Sequence, residues 1–330
     1  MKKSMFLLGM AAVALASCTN EEVMEVAQNR AIQFNAFANA ATRADAAENE
    51  VTSITDFYVF GQYGYEGTAV DVYKNELSSK IAYWQPTQKY RFGGYYDGKA
   101  NEKNDNVTFA PSTGTLTISN YTPNNTKDLM AAVSNEIQTG ADVTSQGEVT
   151  MSFKHLLSEV KFTFKTEDAD VYTLEISNLK INGAESTNTV TYNGSAITWG
   201  TATAEKGYTL EPIGDVAVEA NGYQASSSAF VIPQDGTDKL TVTFTATVTG
   251  GGFTTDPVTG NFTANLSYTA DAVTGTTNNT WTPGYRYNYI ATINAKDIEP
   301  SLEEKVIEFE PTATPWENAD DTTYTPQAQN

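Results

Sequence analysis

The segment "KLTVTFTATVTG", Lys239–Gly250, alternates apolar and polar side chains along its whole length. Side chains of a β-strand point alternately to its two faces, so this spacing predicts one apolar and one polar face. The apolar set is Leu240, Val242, Phe244, Ala246 and Val248, and the polar set is Thr241, Thr243, Thr245 and Thr247. A strand with one polar face is typical of antiparallel sheets packed in pairs.

The same alternation recurs on both sides of this segment. "SEVKFTFKT", residues 158–166, sets Val160, Phe162 and Phe164 against lysine and threonine. "TVTYNGSAITW", residues 189–199, predicts a hairpin, since an Asn-Gly pair tolerates the positive φ of a tight turn. Threonine, valine, tyrosine and phenylalanine are abundant and favour strands. The sequence therefore predicts an all-β protein.

The chain length predicts two domains. It has 330 residues, and one β-sandwich takes about 100. A polar, glycine-containing break near Gly147 marks the predicted boundary between them. The predicted segments are a signal peptide at 1–17, an N-terminal segment at 18–50, domains at 51–147 and 148–300, and a C-terminal segment at 301–330. The first strand, at 31–38, is assigned to the first domain.

The charge balance limits the classes of molecule that the protein can bind. Forty acidic residues against 20 lysines and arginines give a net charge of −20. Such a surface repels nucleic acid and anionic lipid and favours solubility outside the cell. We therefore expect no nucleic-acid partner. With Cys18 as the only cysteine, an intramolecular disulfide is excluded and stability must come from cores and strand pairing.

The chain begins with features of an exported lipoprotein. Lys2 and Lys3 precede an apolar run of the length found in signal peptides, and this run is too short to span a bilayer. "LASC", residues 15–18, resembles a bacterial lipobox, in which the Cys18 thiol accepts the lipid. We predict cleavage before Cys18 and attachment to the membrane only through acyl chains on that residue, rather than an ordinary secretory signal with a chance cysteine.

Catalytic groups are scarce. His155 is the only histidine, and a serine nucleophile normally needs a histidine base. Ser158 lies three residues later, but the surrounding sequence lacks a nucleophile elbow. One histidine and one cysteine make a zinc site improbable, and no EF-hand pattern occurs, although a loop calcium site stays open. The sequence predicts no enzyme, no cofactor and no metal.

Several short motifs, taken together in their order, resemble the fimbrillin family, the subunits of type V pili of Bacteroidales. The motifs are "DLMAA" at 128–132, "FKHLLSEVKFTF" at 153–164, "FVIPQ" at 230–234, "WTPGYRYNYIATI" at 281–293 and "VIEFEPTATPW" at 306–316. They follow a lipobox and extend to the C-terminal region. The resemblance implies two tandem transthyretin-like β-sandwiches in a lipoprotein carried to the surface of the outer membrane and then built into a pilus.

The resemblance also implies a maturation route. "ATRA", residues 41–44, is similar to the stretch where an arginine-specific protease cuts fimbrillins, here between Arg43 and Ala44. The cut would release a first strand whose apolar face is Ile32, Phe34 and Ala36. A strand from another pilus subunit, carrying Val306, Ile307 and Phe309, would take its place. Arg30 is the rival cleavage site, but a cut there would leave Ile32 and Phe34 behind.

A different class of function stays open from the sequence alone. A surface glycan-binding lipoprotein would also be acidic, lipidated and built of β-sandwiches. It would keep its lipid, stay monomeric and expose a platform of aromatic rings, for which the candidates are Trp84, Tyr90, Tyr95 and Tyr96. Rings at strand positions are more often core residues. Host or microbial surface ligands are further candidate partners of either class.

Overall fold

A computed structural model describes most of the chain between residues 30 and 315. The described residues are 30–39, 51–98, 103–124, 127–144, 146–167, 171–201, 204–205, 207–210, 214–215, 218–219, 222–236, 239–250, 257–269, 275–298 and 307–315. Within these ranges the backbone forms 23 strands and one short helix. The all-β prediction is therefore confirmed.

The strands follow one another with short connections. In chain order they are β1 (Phe34–Asn39), β2 (Val51–Ser53), β3 (Tyr58–Tyr63), β4 (Val70–Leu77), β5 (Lys89–Tyr96), β6 (Val107–Ala110), β7 (Thr115–Tyr121), β8 (Met130–Val133), β9 (Ile137–Gln138), β10 (Val149–His155), β11 (Ser158–Lys165), β12 (Tyr172–Asn182), β13 (Glu185–Tyr192), β14 (Ile197–Trp199), β15 (Ala204–Glu205), β16 (Tyr208–Thr209), β17 (Gly214–Asp215), β18 (Val218–Glu219), β19 (Gly222–Val231), β20 (Thr241–Gly250), β21 (Val258–Asn265), β22 (Tyr285–Thr292) and β23 (Glu310–Pro315). The helix α1 (Ala295–Ile298) lies between β22 and β23.

Two sheets form around the first half of the chain. The larger has eight strands in the order β2-β1-β10-β8-β5-β3-β4, and β9 pairs beside them with β5. The smaller runs β14-β13-β7-β6, with β15 paired to β13. The larger sheet curls, because the ring of Phe34 on β1 contacts that of Tyr73 on β4, the edge strand at the far end of the order.

Apolar side chains cover both faces of the eight-stranded sheet. Its curl encloses one core, which includes Phe57, Tyr73 and Phe92, and its other face packs on the smaller sheet through a second core. The two glycines at the centre of β5 allow this close approach. A Cβ on Gly93 would lie only 2.5 Å from the ring of Phe109, so a larger residue would push the two sheets apart.

The second half of the chain forms two further sheets. One runs β18-β19-β11-β22-β23, and the other runs β16-β12-β20-β21 with β17 also paired to β12. They share one continuous core. The segment at 239–250 supplies its centre as predicted, because Leu240, Val242, Phe244, Ala246 and Val248 are all buried. The second half is therefore a sandwich of paired sheets, and its transthyretin-like character stays a prediction.

Most neighbouring strands pair antiparallel, as predicted, but two pairs are parallel. Strand β1 pairs in parallel with β10, and β11 pairs in parallel with β22. Parallel neighbours need a long crossover connection, and here the crossover consists of the intervening strands. Alternation reports which face of a strand is buried. It does not report strand direction, so the sequence pattern missed both pairs.

The predicted boundary near Gly147 also needs correction. Strand β10 begins at Val149 and lies between β1 and β8 in the sheet of the first half. The hairpin of β13 and β14, which the prediction placed in the second domain, extends the smaller sheet of the first half by pairing with β7. The polar segment at Gly147 is thus a loop between β9 and β10 of the eight-stranded sheet. Later in the chain, β13 pairs with β7 of the smaller sheet.

The hairpin itself is formed as predicted. Val190 pairs with Trp199, and Gly194 has a φ of 89°. Asn193 Oδ1 accepts hydrogen bonds from the backbone N–H of Ser195 and Ala196, which stabilises the turn. The indole N–H of Trp199 donates to the carbonyl of Leu156 at 2.9 Å, so the hairpin is tied to the two-residue link between β10 and β11.

Candidate functional site: the slots of the first and last strands

The first strand lies inside its sheet rather than at an edge. Strand β1 pairs in parallel with β10 from Phe34↔Val149 to Ala38↔Phe153. On its other side it pairs antiparallel with β2, from Phe37↔Ser53 onward. We call the space between β10 and β2 the first-strand slot. A strand in this slot pairs with β10 along most of its length and with β2 at its end, over residues 37–39.

The residues before β1 are held by a separate loop. Ile32 N–H donates to the carbonyl of Ala82 at 2.8 Å, and Trp84 N–H donates to the carbonyl of Arg30 at 3.0 Å. Ala31 forms an antiparallel bridge with Tyr83 between these two bonds. The peptide bond that follows Arg30 is therefore part of a short ladder.

The side chains predicted to form the removable face lie in the aromatic core of the first half. Ile32 and Ala36 are 5% and 6% exposed. The ring of Phe34 meets the rings of Phe57, Tyr73 and Phe92 edge-on, each at a centroid distance of 5.5 Å. Edge-to-face pairs of this kind are worth about 0.5–1.5 kcal/mol each beyond area burial. Whether this strand is removed stays a prediction.

Tyr73 is almost completely buried in this core. Burial raises the pKa of its phenol to about 12. The hydroxyl donates a hydrogen bond to the carbonyl of Lys80 at 2.9 Å. No local pattern in the sequence predicts the contact of Tyr73 with Phe34, because the two residues meet only when the sheet curls.

The last strand occupies an edge of its own sandwich. Among the described strands, β23 pairs with β22 alone, from Ile290↔Glu310 to Tyr285↔Pro315. It contains Pro311 and Pro315, which lack an N–H and are tolerated in sheets chiefly at edges. We call its position the last-strand slot. In contrast to the first-strand slot, it offers a hydrogen-bonding partner on one side.

The apolar pair of the predicted donor strand packs in the core of the second half. Ile307 is 7% exposed. The ring of Phe309 contacts four aromatic rings at centroid distances of 5.8 to 6.3 Å, namely those of Phe162, Phe164, Phe244 and Tyr289. Within this chain these two residues pack just before β23, whose pairing with β22 begins at Glu310. Its use by a neighbouring subunit stays a prediction.

Four predicted site residues lie outside the described residues. They are Cys18, Arg43, Ala44 and Val306. The described strands nevertheless bracket the predicted cleavage position, since β1 ends at Asn39 and β2 begins at Val51.

The predicted aromatic platform is not formed, which corrects the glycan-binding expectation. Trp84, Tyr90 and Tyr95 are completely buried, and Tyr96 is half-buried against the same core. Tyr90 and Tyr95 lie on opposite faces of β5, but both faces of this strand are covered, so neither ring reaches solvent. A strand covered on one side only would have exposed one of them.

The two residues with catalytic side-chain chemistry, His155 and Ser158, are buried and hydrogen-bonded within the fold. His155 is buried, and its Nδ1 lies 2.5 Å from Asp128 Oδ2. Ser158 donates its hydroxyl to the carbonyl of Thr282 at 2.7 Å. No cluster of three metal-ligating side chains occurs among the described residues. Nor does any helix there have the length and hydrophobicity to cross a membrane.

Several solved structures are similar to this chain. A fimbrial protein from Bacteroides vulgatus superposes with a TM-score of 0.53 at 17% identity, covering 87% of this chain and all of that one. A candidate cell adhesion protein from Bacteroides ovatus has a TM-score of 0.47 at 14% identity, covering 88% and 99% of the two chains. The fimbrial anchor protein Mfa2 from Porphyromonas gingivalis has a TM-score of 0.36 at 12% identity, covering 86% and 98%.

At 17% identity, the similarity to the Bacteroides vulgatus protein shows a shared fold alone. No curated protein matches the sequence significantly. The fold and its two terminal slots define a class of all-β protein made of paired sheets whose first and last strands close separate cores. The model of the family described as fimbrillin-like matches residues 21–316. The chain belongs to this fimbrillin-like family, which is not a family of enzymes.

Proposed function

We propose that this protein is a structural subunit of a surface pilus that supports adhesion to host or microbial surfaces. It reaches the outer membrane as a lipoprotein through Cys18, is cut after Arg43 by an arginine-specific protease, and polymerises with other pilus subunits by strand exchange. Membership of the fimbrillin-like family supports the class of function. The arrangement of the two slots supports the route.

The position of β1 between β10 and β2 is the observation that carries the proposal. Arg43 lies in the connection from β1 to β2, so a cut there separates the first strand from the rest of the chain. Loss of β1 would expose the ladder edge of β10 and the pocket of Phe34. Unpaired strand edges and open apolar slots are costly in water, so the vacated slot favours a replacement strand.

The structure favours Arg43 over Arg30 as the cleavage site. The carbonyl of Arg30 accepts a hydrogen bond from Trp84, and Ala31 is paired with Tyr83. A protease would have to break this short ladder before it could reach the bond after Arg30. Cleavage concentrates instead in connections between elements.

The segment around Phe309 suits the vacated slot. It repeats the I-x-F spacing of Ile32 and Phe34 with Ile307 and Phe309, so its side chains can occupy the same pockets. In this chain Ile307 and Phe309 lie before the residues of β23 that pair with β22, which begin at Glu310, whereas β1 is flanked by β10 and β2. Transfer to a neighbour would therefore add backbone pairing to this segment, and net backbone hydrogen bonds are worth about 0.5–1.5 kcal/mol each.

A pair of conservative variants tests the proposal. Arg43→Lys keeps the positive charge but removes the target of an arginine-specific protease, and Arg30→Lys is the matched control. Cells expressing the parent or Arg30→Lys should yield filaments by electron microscopy, with subunits that start at Ala44. Arg43→Lys should yield unassembled protein that starts at the lipidated Cys18.

Two outcomes would contradict the route. One is filaments built from Arg43→Lys subunits with an intact N-terminus. The other is mature parent protein that starts at Ala31, which would show that the first strand stays in its slot.

A further inference from the structure

Most edge strands of this fold carry a feature that blocks pairing with another chain. Strand β4 contains Asp71, Lys74 and Glu76, shows two register shifts against β3, and holds Asn75 at a φ of 55°. Strand β23 contains two prolines. The edge strands β2, β6, β14, β16 and β18 have only two to four residues each. Charges, prolines, bulges and shortness are the usual protection of sheet edges.

Strand β21 lacks all of these features. Its eight residues, "VTGNFTAN", include no charge and no proline. It pairs with β20 from Thr241↔Asn265 to Val248↔Val258 without a register shift. Among the described strands, none pairs with its other side. In a chain with a net charge of −20, this edge combines length, regularity and neutrality.

The open side of β21 presents a regular set of backbone groups. Leu266 N–H donates to the carbonyl of Leu240 at 2.9 Å, so the hydrogen bonds to β20 come from the even-numbered residues. The N–H and C=O groups of Thr259, Asn261, Thr263 and Asn265 therefore point to the open edge. The side chains of these residues are exposed on the outer face of the sheet.

We propose that β21 pairs with β21 of a second copy of this chain, antiparallel and about a two-fold axis at Asn261. The strand is complementary to itself in this register. Thr259 faces Thr263 of the copy on the outer face, and the two Asn261 side chains face each other. Threonine pairs and amide pairs across strands are favourable.

The inner face fits the same register. Phe262 already stacks on Phe244 at a centroid distance of 5.3 Å, and it would lie opposite Gly260 of the copy. A shift of one position along each strand would place the two Phe262 rings opposite each other. The two-fold axis at Asn261 therefore avoids crowding of these rings.

A second copy is the partner that the charges favour. Two copies of this acidic chain repel each other. The repulsion between them is weakest where the surface carries no charged side chains, as along β20 and β21. One edge-to-edge contact is small compared with a standard interface of about 1,600 Å², so a single pair is weak. On the proposed function, subunits arrayed in a filament would repeat the contact, and multivalency would hold filaments side by side.

Single-cysteine crosslinking tests the pairing on the uncleaved full chain, which the proposed route cannot polymerise. Cys18→Ser removes the only native cysteine. Asn261→Cys should then form disulfide-linked dimers under mild oxidation, because directly hydrogen-bonded partners have Cα atoms about 5.5 Å apart, within disulfide range. Thr259→Cys should stay monomeric, since its counterpart would lie about 13 Å away along the strand.

Thr249→Cys, exposed on the central strand β20 of the same face, controls for random collision. We expect severalfold more dimer from Asn261→Cys than from either other variant. Absence of this dimer, or equal amounts from all three, would overturn the pairing. Independently, Asn261→Asp should abolish concentration-dependent dimerisation in sedimentation, because it places like charges at the axis, whereas Thr249→Asp should retain it.

These readouts separate the two proposals. If strand exchange is wrong and the pairing is right, the precursor dimers persist although no Arg43-dependent filament forms. If the pairing is wrong and strand exchange is right, filaments form as expected and remain single, and Asn261→Cys gives no specific crosslink.

Discussion

The contact of Phe34 with the core around Phe57, Tyr73 and Phe92 gives a quantitative prediction about the first-strand slot. Its ring meets three aromatic rings at 5.5 Å, and replacement of a buried phenylalanine by alanine costs about 3–5 kcal/mol. Because Phe34 is half-buried, we expect Phe34→Ala to lower the free energy of unfolding of the precursor by about 3 kcal/mol, the lower end of that range.

Urea unfolding of the uncleaved precursor measures this loss. Trp84 lies in the same core, with its ring 5.9 Å from Phe92, so its fluorescence reports on the slot. With a slope of about 1–3 kcal/mol/M, the midpoint should fall by at least about 1 M. Asn35→Ala, on the exposed face of β1, is the matched control and should change stability by less than about 0.5 kcal/mol.

Cleavage provides a second arm of this test. Once residues before Ala44 have left, the Phe34→Ala and parent subunits are chemically identical. Any difference in stability must therefore disappear in the processed and separated protein. A loss below about 1 kcal/mol in the precursor would refute the packing argument, because core truncations cost more. A difference that persists after processing would show that the first strand is retained.

Three further predictions concern other parts of the fold. Phe309→Ala should destabilise the second sandwich by about 3 kcal/mol, since its ring contacts four aromatic rings, and urea unfolding measures this. Gly93→Ala should lower the thermal unfolding midpoint, with a loss of about 1–3 kcal/mol, because its Cβ would meet Phe109 at 2.5 Å. Tyr73→Phe should reduce the loss of stability between pH 10 and about 12, measured by urea unfolding in alkaline buffers.

The sign of the last prediction follows from linkage. Burial raises the pKa of Tyr73 from 10.0 to about 12 in the folded chain. The unfolded chain therefore loses this proton at lower pH, and stability falls as the pH rises through this interval. Phenylalanine cannot ionise and removes this contribution. An unchanged pH profile in Tyr73→Phe would contradict the assigned environment.

The predictions for Phe309→Ala and Gly93→Ala each have a matched control variant. Glu308→Ala alters the exposed face of the last strand and should be nearly neutral. Gly147→Ala meets nothing within 4 Å and should leave the unfolding midpoint unchanged. Equal losses in Phe309→Ala and Glu308→Ala, or in Gly93→Ala and Gly147→Ala, would show that the cited contacts do not control stability.

Local signals were sufficient for part of this fold. The alternation of residues 239–250 predicts the inner face of β20, and Asn193-Gly194 predicts the turn of its hairpin, because both depend on neighbours in the sequence. The pairing of Phe34 with Val149 depends on residues far apart in the chain. Alternation is similar in parallel and antiparallel strands, so it could not predict this pair.

The candidate site was predictable to a similar extent. The apolar faces at Ile32 and Ile307 could be found from their spacing, because a period of two is a property of the strand itself. The burial of Tyr90 and Tyr95 could not, because it depends on the curl of the sheet over one face of β5 and the smaller sheet over the other. Curl arises from long-range packing, which no single segment encodes.

The two slots differ in a way that gives the proposed assembly a direction. A strand between β10 and β2 has a pairing strand on each side, whereas in the described part of the chain β23 pairs with β22 alone. While β1 is in place, the strand of a neighbour has no slot to enter. On the proposed route, once β1 had been cut away, the two-sided slot would bind a strand more strongly than the one-sided slot that supplies it. Cleavage would therefore act as the step that permits exchange, and the second ladder would make the exchange favourable.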